Sequence, residues 1–351
     1  MIALPQDVAF IIHKIEKAGF EAFAVGGCIR DSLLSRIPND WDITTSALPE
    51  QVKALFPHTI DTGIKHGTVT VMCHHVGYEV TTYRIDGEYE DGRHPKQVVF
   101  TPSLIEDLKR RDFTINAMAY NDSRGLVDAF EGQQDLQKGV IRAVGEPEKR
   151  FSEDALRIMR AVRFAAQLGY TIEEETEAAM RRLSDTLTKI SAERIQVELV
   201  KLLVSDHPGH MKILYETGIT KVILPEFDRM METEQNNPHH LYSVGMHTIR
   251  AMEEVPADKV LRLTMLFHDM GKPAKKTTDA EGIDHFHGHA ELSAKMAKEI
   301  LQRLKFDNDT IGKVTKLVKN HDRKIIPHAK YVRRALCDLG EEIFLLLLEV
   351  K

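Results

Sequence analysis

Two aspartates separated by one residue, Asp40 and Asp42, are the first residues in the chain that could bind a catalytic metal. Side chains two apart on a strand face the same way, with Cα atoms roughly 6.5 Å apart, so the two carboxylates can converge. Mg²⁺ prefers such carboxylate oxygens together with phosphate oxygens, and two such ions can activate a hydroxyl and stabilise a leaving pyrophosphate. An isolated pair of this kind is more often an ordinary surface pair, so it does not decide the chemistry alone.

The glycine pair Gly26-Gly27 lies upstream of these aspartates, between a predicted strand and a predicted helix. Backbone N–H groups and the helix dipole at such a helix start favour a triphosphate. Arg30, one turn into the helix, supplies a forked cation for the same phosphates. With the basic stretch Arg110-Arg111 further on, these residues indicate nucleotidyl transfer, in which a nucleoside triphosphate is held beside two metal-binding carboxylates.

Composition sets broad limits on the protein class. A length of 351 residues favours two or three domains, and 42% hydrophobic with 28% charged residues fits a soluble globular protein. The net charge of −6 is only a weak argument against a nucleic-acid partner, because a polyanion responds to the local field. The three cysteines have no pairing or zinc-ligand spacing, no signal peptide is recognisable, and no apolar run reaches membrane-spanning length. We expect a cytoplasmic enzyme with no membrane partner.

The first part of the chain has the pattern of a mixed α/β domain. The predicted elements are a helix over 1–20 with its stripe at Val8, Ile11, Ile12, Ile15 and Ala18, a strand over 22–25, a helix through Leu34, a strand over 40–44, a helix from Ser46 to about Phe56, strands over 68–72 and 79–83 joined by a hairpin around 75–77, a loop over 85–95, a strand over 97–100 and a further element over 115–119.

From about Glu148 onward the periodicity becomes helical for nearly the whole remainder. The shift predicts an α+β chain in which a mixed head is followed by an all-helical body. The expected domains are a head over 1–145, a helical neck and body over 146–235, a helical metal-binding domain over 236–335, and over 336–351 the start of a C-terminal helical region that is cut short.

Three motifs together resemble the class II tRNA nucleotidyltransferase and bacterial poly(A) polymerase family. They are Val25-Gly26-Gly27-x-x-Arg30-Asp31, Asp40-x-Asp42, and Arg110-Arg111-Asp112-Phe113-Thr114-x-Asn116-Ala117. The resemblance implies a polymerase-β-like head with a small mixed sheet, which adds nucleotides to RNA 3′ ends without a nucleic-acid template.

By this resemblance, Asp40 and Asp42 bind Mg²⁺, and the residues that contact the triphosphate are Gly26, Gly27, Arg30 and Arg111. Glu79, on an alternating strand, is the candidate for a third catalytic carboxylate, although a solvent-facing strand residue would look the same. Asp112 and Asn116 are expected to order the sugar or the loop, and capping or turn roles would explain them equally well.

A second informative stretch runs from Glu153 to Arg163. On one continuous helix its polar residues share half of the helical wheel, namely Glu153, Asp154, Arg157, Arg160 and Arg163. Taken alone, this is a salt-bridged exposed helix. The stretch also resembles the family's amino-acid template, glutamate-aspartate-x-x-arginine. By that resemblance Asp154 accepts from an exocyclic amine of the base and Arg157 donates to a ring acceptor, which selects C and A and leaves charged groups unsatisfied with U or G. Arg160 and Arg163 would neutralise phosphate.

Histidines and aspartates of the helical part form a separate set: His247, His268, Asp269, His289, His321 and Asp322. Their spacing resembles the HD phosphohydrolase domain. There, imidazoles and carboxylates hold one or two transition metals (Ni, Mn, Co, Fe or Zn), and a bound water attacks a phosphoester. Seventeen histidines make chance clustering easy, so each single histidine has a surface or core alternative.

The resemblance implies addition of C, C and A to the tRNA 3′ end at the acceptor stem, from CTP and ATP. The loop over 82–95 has full length, which argues against family members limited to CC. Addition of A alone and polyadenylation stay open. A metal phosphohydrolase acting on damaged RNA ends, in which the head only binds nucleotide, is the competing class, and the intact carboxylates disfavour a third class, a noncatalytic RNA-binding module. The sequence leaves the oligomeric state open.

Overall fold

The strands of the computed structural model lie mainly in the first half of the chain; residues 2–87, 98–236 and 242–351 are described. The strands are β1 (Ala22–Val25), β2 (Asp42–Thr45), β3 (Thr59–Gly63), β4 (Thr68–Cys73), β5 (Val76–Thr82), β6 (Arg84–Asp86), β7 (Val98–Phe100), β8 (Met118–Asn121), β9 (Gly125–Asp128), β10 (Val140–Ile141), β11 (Thr171–Ile172), β12 (Thr277–Thr278) and β13 (Asp284–His285).

Helices precede and follow these strands and make up most of the remainder. They are α1 (Gln6–Lys17), α2 (Gly27–Leu33), α3 (Pro49–Leu55), α4 (Leu104–Lys109), α5 (Gly132–Lys138), α6 (Pro147–Glu153), α7 (Leu156–Leu168), α8 (Glu174–Leu183), α9 (Ala192–Leu203), α10 (Met211–Glu216), α11 (Ile219–Ile223), α12 (Pro225–Met231), α13 (Val244–Glu254), α14 (Lys259–Phe267), α15 (Lys272–Lys275), α16 (His289–Arg303), α17 (Asn308–Asn320), α18 (Ala329–Leu339) and α19 (Glu341–Glu349). Among the described residues, no helix combines the length and apolarity needed to cross a bilayer.

The chain divides into two compact units. The first comprises Met1–Arg157 and Thr171–Ala179, and the second comprises Ile158–Tyr170 and Met180–Lys351. The α+β class predicted from the pattern is confirmed, with a mixed sheet in the first unit and helices throughout the second.

The sheet of the first unit brings the predicted site segments side by side. Its strand order is β3-β4-β5-β2-β1-β8-β9, in which β2 and β5 run parallel and the other pairs are antiparallel. The central strand β1 is buried along its whole length because all four of its residues are apolar. Val25, at its end, is paired with Asp42 at the start of β2. The glycine pair that follows Val25 therefore lies beside the first residue of β2.

An apolar cluster supports the sheet beneath the site. Phe23 and Val25 of β1 pack with Leu104 and Leu108 of α4. The stripe predicted for the first helix is confirmed for Val8, Ile11, Ile12 and Ile15, which α1 buries. It was wrong for Ala18, which follows the last residue of α1 and is exposed. These contacts fix α4, and with it the arginines that follow α4 in sequence.

Several predicted boundaries were wrong for local reasons. Strand β2 begins at Asp42 and not at Asp40. Helix α3 begins at Pro49, whose fixed φ suits the first helical position, while Ser46 accepts instead from Glu21 N at 2.9 Å. The β4–β5 hairpin turns at His74 and His75, with φ of 46° and 67°, as in two-residue hairpin turns.

Two further predictions need separate mention. The strand predicted over 97–100 is present as β7, which pairs with β6; Gln97 and most of the loop predicted over 85–95 lie outside the described residues. The single helix predicted over 153–163 was wrong. It is broken, because Asp154 has extended backbone (φ −143°, ψ 104°) between the end of α6 and the start of α7.

The second unit is built around the apolar helix α14. Its residues from Leu261 to Phe267 are all buried, and His268 follows directly. Helices α13, α16 and α17 each contact α14, and α16 also packs against α17. A two-stranded ribbon of β12 and β13 and the α18–α19 pair complete the described part of this unit.

We predict that Leu108→Ala destabilises the first unit by about 2–5 kcal/mol, the usual cost of truncating a fully buried leucine. Leu108 has no exposed surface, whereas Ile105 of the same helix is 41% exposed. Ile105→Ala is therefore the matched control, with an expected loss below about 1 kcal/mol. Trp41 is the single tryptophan of the chain, so its fluorescence during urea unfolding reports on this unit. Equal losses in both variants would contradict the packing described for α4.

Candidate functional site

Asp42 and Glu79 lie at the same level on neighbouring parallel strands. Ile43 of β2 is paired with Val80 of β5, and the two carboxylate residues directly precede that pair. Residues at one level of adjacent strands point to the same face of a sheet. Asp42 and Glu79 therefore share a face at the start of β2, and Asp40 lies in the segment that directly precedes this strand. The strand-spacing argument for Asp40 does not apply, because Asp40 lies before β2.

The three carboxylates influence one another electrostatically. Asp42 is exposed, but the protein atoms around its carboxylate desolvate it enough to raise its pKa; Arg111 opposes this shift and Asp40 adds to it. The pKa of Glu79 is raised chiefly by desolvation, and the negative charges of Asp42 and Asp40 raise it further. Like charges this close repel, so a cation bound among them would be stabilised.

The carboxylates form an open set and not a closed cage. Within the described ranges, groups of three ligand residues with donor atoms all within 4.8 Å of one another occur only in the second unit. Mg²⁺ is usually held by one or two carboxylates plus substrate phosphates, with retained waters. The donor set therefore fits a hard divalent ion that binds together with a triphosphate.

Two arginines flank the glycine pair. Gly26 has φ of +85°, and a Cβ there would lie 3.1 Å from Arg111 Nη1; a side chain would meet both backbone strain and the guanidinium. A Cβ at Gly27 would lie 3.7 Å from Arg30 Nη2. The structure thus brings Arg30 and Arg111 together around the start of α2, as the sequence predicted.

Asp112 and Asn116 form the hydrogen-bonded support of Arg30. Arg30 Nη1 donates to Asn116 Oδ1 at 2.8 Å, and Asn116 Nδ2 donates to Asp112 Oδ1 at 3.3 Å. Asp112 Oδ1 also accepts from Phe113 N at 2.9 Å. Asp112 and Asn116 are both buried. They therefore hold the arginine and its loop, one of the two roles that the sequence left open.

Sequence reasoning missed Asp107, which is fully buried on α4 beside this group. Arg110 Nη2 donates to Asp107 Oδ1 at 2.8 Å, and Arg111 Nη2 lies 3.5 Å from Asp107 Oδ2. The spacing could have revealed it, because Asp107 is three and four residues before the two arginines.

The segment at the α6–α7 break is held by internal hydrogen bonds. Asp154 Oδ1 accepts from Leu156 N at 3.0 Å and so caps the start of α7. Arg157 Nη1 contacts Glu153 Oε2 at 2.7 Å, and Arg157 Nη2 donates to Arg110 O at 3.1 Å. Because the helix is broken, these residues do not share one helical face. Glu153 orients Arg157 across the turn, and the carbonyl of Arg110, next to Arg111, holds the Arg157 guanidinium.

Arg160 and Arg163, in the second unit, are placed differently from each other. Arg163 is buried, with Nε 2.7 Å from Glu198 Oε2 in an equally buried ion pair. Its guanidinium lies 3.7 Å from the Phe164 ring centroid, and that of Arg160 lies 5.3 Å away. A phosphate would have to break the Arg163–Glu198 pair, so the contacts favour a packing role for Arg163, and its phosphate contact stays a prediction.

The second unit brings the predicted histidines and aspartates into one cluster. Asp269 is shared by two ligand groups, one with His247 and His268 and one with His289 and His321. Its Oδ2 lies 3.2 Å from His268 Nε2, and its Oδ1 lies 3.3 Å from His289 Nε2. Asp322 Oδ2 lies 3.2 Å from His289 Nε2 on the exposed side.

Backbone carbonyls orient the imidazoles of this cluster. His268 Nδ1 donates to Met265 O at 2.6 Å, His289 Nδ1 donates to Phe286 O at 2.9 Å, and His321 Nδ1 donates to Val318 O at 2.7 Å. A carbonyl only accepts, so these rings carry their proton on Nδ1 and direct a lone pair from Nε2. The Nε2 atoms of His289 and His321 are 3.3 Å apart. Two facing lone pairs repel unless a proton or a metal ion lies between them, and this set of imidazole and carboxylate donors suits a transition metal.

Asp269 supplies the negative charge of the cluster. Burial opposes its ionisation, but His268, His289 and Lys272 hold the pKa of Asp269 well below its usual range. Lys272 Nζ lies 2.8 Å from Asp269 Oδ2, a buried contact that sequence reasoning missed although the two residues are one helical turn apart. A cavity of about 620 Å³ opens beside the cluster, bordered also by Asp284, His285, Phe286 and His287.

Three family models match successive parts of the chain. Residues 22–142 match the model of the poly A polymerase head domain, residues 169–231 that of a probable RNA and SrmB-binding site of polymerase A, and residues 239–342 that of the HD domain. The crystal structure of a Bacillus stearothermophilus CCA-adding enzyme in complex with CTP superposes with a TM-score of 0.74 at 33% identity, covering 98% of this chain and 76% of that one. This chain belongs to the CCA-adding enzyme family.

Curated members of this family match more closely over a shorter stretch. The CCA-adding enzyme of Leuconostoc mesenteroides is 55% identical over 204 residues, which is 57% of this chain and 51% of that protein. That of Lactiplantibacillus plantarum is 55% identical over 221 residues, 63% of this chain and 53% of that protein. The chain thus spans about half the length of the curated relatives it matches. Family membership implies dependence on a divalent metal ion.

We predict that Asp42→Asn raises the stability of the metal-free protein increasingly as the pH rises above 3.8, the ordinary pKa of this group. Because the folded-state pKa is raised, the native state binds more protons than the unfolded state, and stability falls with rising pH. The variant lacks this loss, so its advantage grows as the pH rises above 3.8 and levels off once the pH exceeds the raised folded-state pKa. Urea unfolding in a chelator, followed by Trp41 fluorescence, measures the difference. Asp122→Asn, on an exposed turn of the same unit, is the control; a pH-independent difference for Asp42→Asn would contradict the desolvation described here.

Proposed function

We propose that this protein completes the 3′ end of tRNA by adding C, C and A from CTP and ATP, with Mg²⁺ as the metal ion. One observation carries the proposal: the carboxylates of Asp42 and Glu79 face the same side of the sheet end at which Arg30 and Arg111 flank the glycine pair. Carboxylates for a metal beside cations for a triphosphate are what nucleotidyl transfer requires. Membership in the CCA-adding enzyme family, whose Bacillus stearothermophilus member is solved with CTP, supports the substrate.

The residues have distinct roles in this proposal. Asp40 and Asp42, with Glu79 as the third carboxylate, hold Mg²⁺, which when bound activates the RNA 3′ hydroxyl and stabilises the leaving pyrophosphate. Arg30 and Arg111 contact the triphosphate at Gly26 and Gly27, supported by Asp112 and Asn116. Holding these charges in place before the nucleotide binds lowers the reorganisation needed in the reaction.

We assign base selection to Asp154 and Arg157, with Glu153 as the residue that orients the arginine. A carboxylate acceptor and a guanidinium donor match the amine and ring acceptor that C and A present, and U or G would leave these charges unsatisfied. The contact of Arg157 with Arg110 O supports this role, because it ties the selecting residues to the backbone next to Arg111. Arg160 is retained as a phosphate contact, and Arg163 only if its ion pair opens.

The proposed organisation follows the sequence boundaries: a catalytic head over 1–145, a neck and body over 146–235 that contacts RNA, an HD domain over 236–335, and a helical segment over 336–351. A cytoplasmic location is part of this proposal. An A-adding enzyme or a poly(A) polymerase is the alternative within the family.

The test is extension of a tRNA that lacks its 3′ CCA, with Mg²⁺ and each nucleoside triphosphate alone and combined, followed by sequencing of the product ends. We expect three added residues, C, C and A, and then a stop. Adenosine alone or a long A tail would transfer the protein to the alternative activities, and no extension would overturn the proposal.

We predict that Asp40→Ala and Asp42→Ala each reduce this extension by at least about a thousandfold, because the metal that activates the hydroxyl is lost. His268→Ala, in the second unit, is the matched metal-site control and leaves extension within about twofold, a change too small to indicate a lost contact. If His268→Ala abolished the main activity and Asp40→Ala did not, the metal cluster of the second unit would carry the chemistry.

A second candidate activity is supported by the cluster around Asp269. Carbonyl-oriented imidazoles, a shared buried carboxylate and a cavity of about 620 Å³ suit metal-assisted hydrolysis of a phosphoester at an RNA end. The ions would be one or two of Ni, Mn, Co, Fe and Zn, held by His247, His268, Asp269, His289, His321 and Asp322.

We predict that Asp269→Asn lowers the bound transition metal most strongly, because Asp269 belongs to both ligand groups, and that His321→Ala removes one group and keeps the other. Metal content after dialysis against Mn²⁺ or Ni²⁺ measures this without reference to activity. His285→Ala is the control, since His285 borders the same cavity but belongs to neither group. Equal loss in all three variants would contradict the assigned ligands.

A further inference from the structure

Asp107 joins three segments of the proposed transferase site through one buried carboxylate. Its Oδ2 accepts from Thr44 Oγ1 at 3.1 Å, two residues beyond Asp42 on β2. Its Oδ1 accepts from Arg84 N on β6 at 3.3 Å and from Arg110 Nη2 at 2.8 Å. Arg111 Nη2 lies 3.5 Å from Oδ2. Among the contacts described above, no other single side chain contacts β2, β6 and both arginines.

The electrostatics show that this carboxylate is charged although it is buried. Desolvation alone would raise the pKa of Asp107, but Arg110 and Arg111 lower it below the usual range. A buried charge without partners would be strongly destabilising. The guanidiniums of Arg110 and Arg111 both face this one carboxylate. Arg111 Nη1 lies 3.1 Å from the position that a Cβ would occupy at Gly26, so its positive charge is next to the glycine pair.

Three carboxylates act on Arg111. Burial is the largest effect and lowers the pKa of Arg111, whereas Asp107, Asp42 and Asp112 stabilise its charge. Within the described residues Arg111 Nε has no hydrogen-bond partner. Without Asp107, Asp42 and Asp112 are the carboxylates that remain to stabilise Arg111, and an Arg111–Asp42 ion pair would occupy a carboxylate that the proposed function needs for metal.

We propose that Asp107 is a positioning residue that holds Arg111 beside Gly26 to receive the triphosphate and keeps Arg111 from pairing with Asp42. The inference rests on the proposed function, and it goes further by assigning triphosphate affinity to a residue that touches neither nucleotide nor metal.

Asp107→Asn tests the inference, with Asp135→Asn as the matched control. Asp135 is buried in the same unit and has the same kind of partners, Thr114 Oγ1 at 2.7 Å and Arg142 Nε at 3.1 Å. Binding of CTP and of CMP is measured without RNA, and KM and kcat are measured by tRNA extension. Circular dichroism and Trp41 fluorescence check the fold.

For Asp107→Asn we expect CTP binding to weaken about tenfold and CMP binding to change less than about twofold, as for the loss of one charge-assisted contact to phosphate. The KM for CTP rises accordingly, and kcat at saturating CTP and Mg²⁺ changes less. In an Arg111→Ala background, Asp107→Asn adds less than about twofold, because the two residues act as one unit. Asp135→Asn leaves the ratio of CTP to CMP affinity unchanged.

Thr44→Val provides a milder variant if Asp107→Asn does not fold. It removes one hydrogen bond to Asp107 with little change in shape, and we expect CTP binding to weaken about threefold with CMP unaffected. A CTP to CMP ratio equal to wild type in both variants, or a full additional loss in the Arg111→Ala background, would overturn the inference. Failure of the wild-type protein to extend tRNA would instead overturn the proposed function, and the nucleotide-binding comparison would still decide the role of Asp107.

Discussion

Opposite charges held close together at one end of the head sheet are the interaction on which the rest of the structure depends. Asp40, Asp42 and Glu79 repel one another there although they face solvent, and Arg111 lies beside them with its side chain 19% exposed. The carboxylates partly compensate the charge of Arg111, whose desolvation is costly without such partners. The sheet order, the glycine pair and the buried turn after α4 can all be understood as the means of keeping these charges near one another without letting them neutralise completely.

The two candidate metal centres differ in a way that follows from their ligands. The head offers an open set of carboxylates at the edge of solvent, which suits a hard ion that binds with phosphate oxygens and exchanges with each turnover. The second unit offers imidazoles already oriented by carbonyls around a buried carboxylate, which suits a resident transition metal. The proposed ligands of the two centres therefore come from different units of the chain.

The break between α6 and α7 shows how backbone conformation serves side-chain chemistry. In one continuous helix, Asp154 would have its backbone N–H and carboxylate committed to helical neighbours. The extended conformation at Asp154 lets its carboxylate cap α7 and lets Glu153 reach Arg157 across the turn. The same turn hydrogen-bonds the backbone at Arg110. The residues proposed for base selection and for triphosphate contact are thus linked through the hydrogen bond from Arg157 to Arg110 O.

The sequence by itself determined the residue types of the sites, the α+β class and the family. Asp40, Asp42 and the glycine pair could be recognised because local spacing and composition carry their chemistry, and helical periodicity identified the second unit. Tertiary structure alone decided that Glu79 stands level with Asp42, that Arg163 pairs with Glu198, and that Asp269 belongs to two ligand groups. It also decided that Asp107 contacts Thr44 and Arg84, residues far from it in sequence. These features depend on strand register and helix packing between distant segments, and hydrophobic periodicity specifies which face of an element is buried but not which distant charge it will meet.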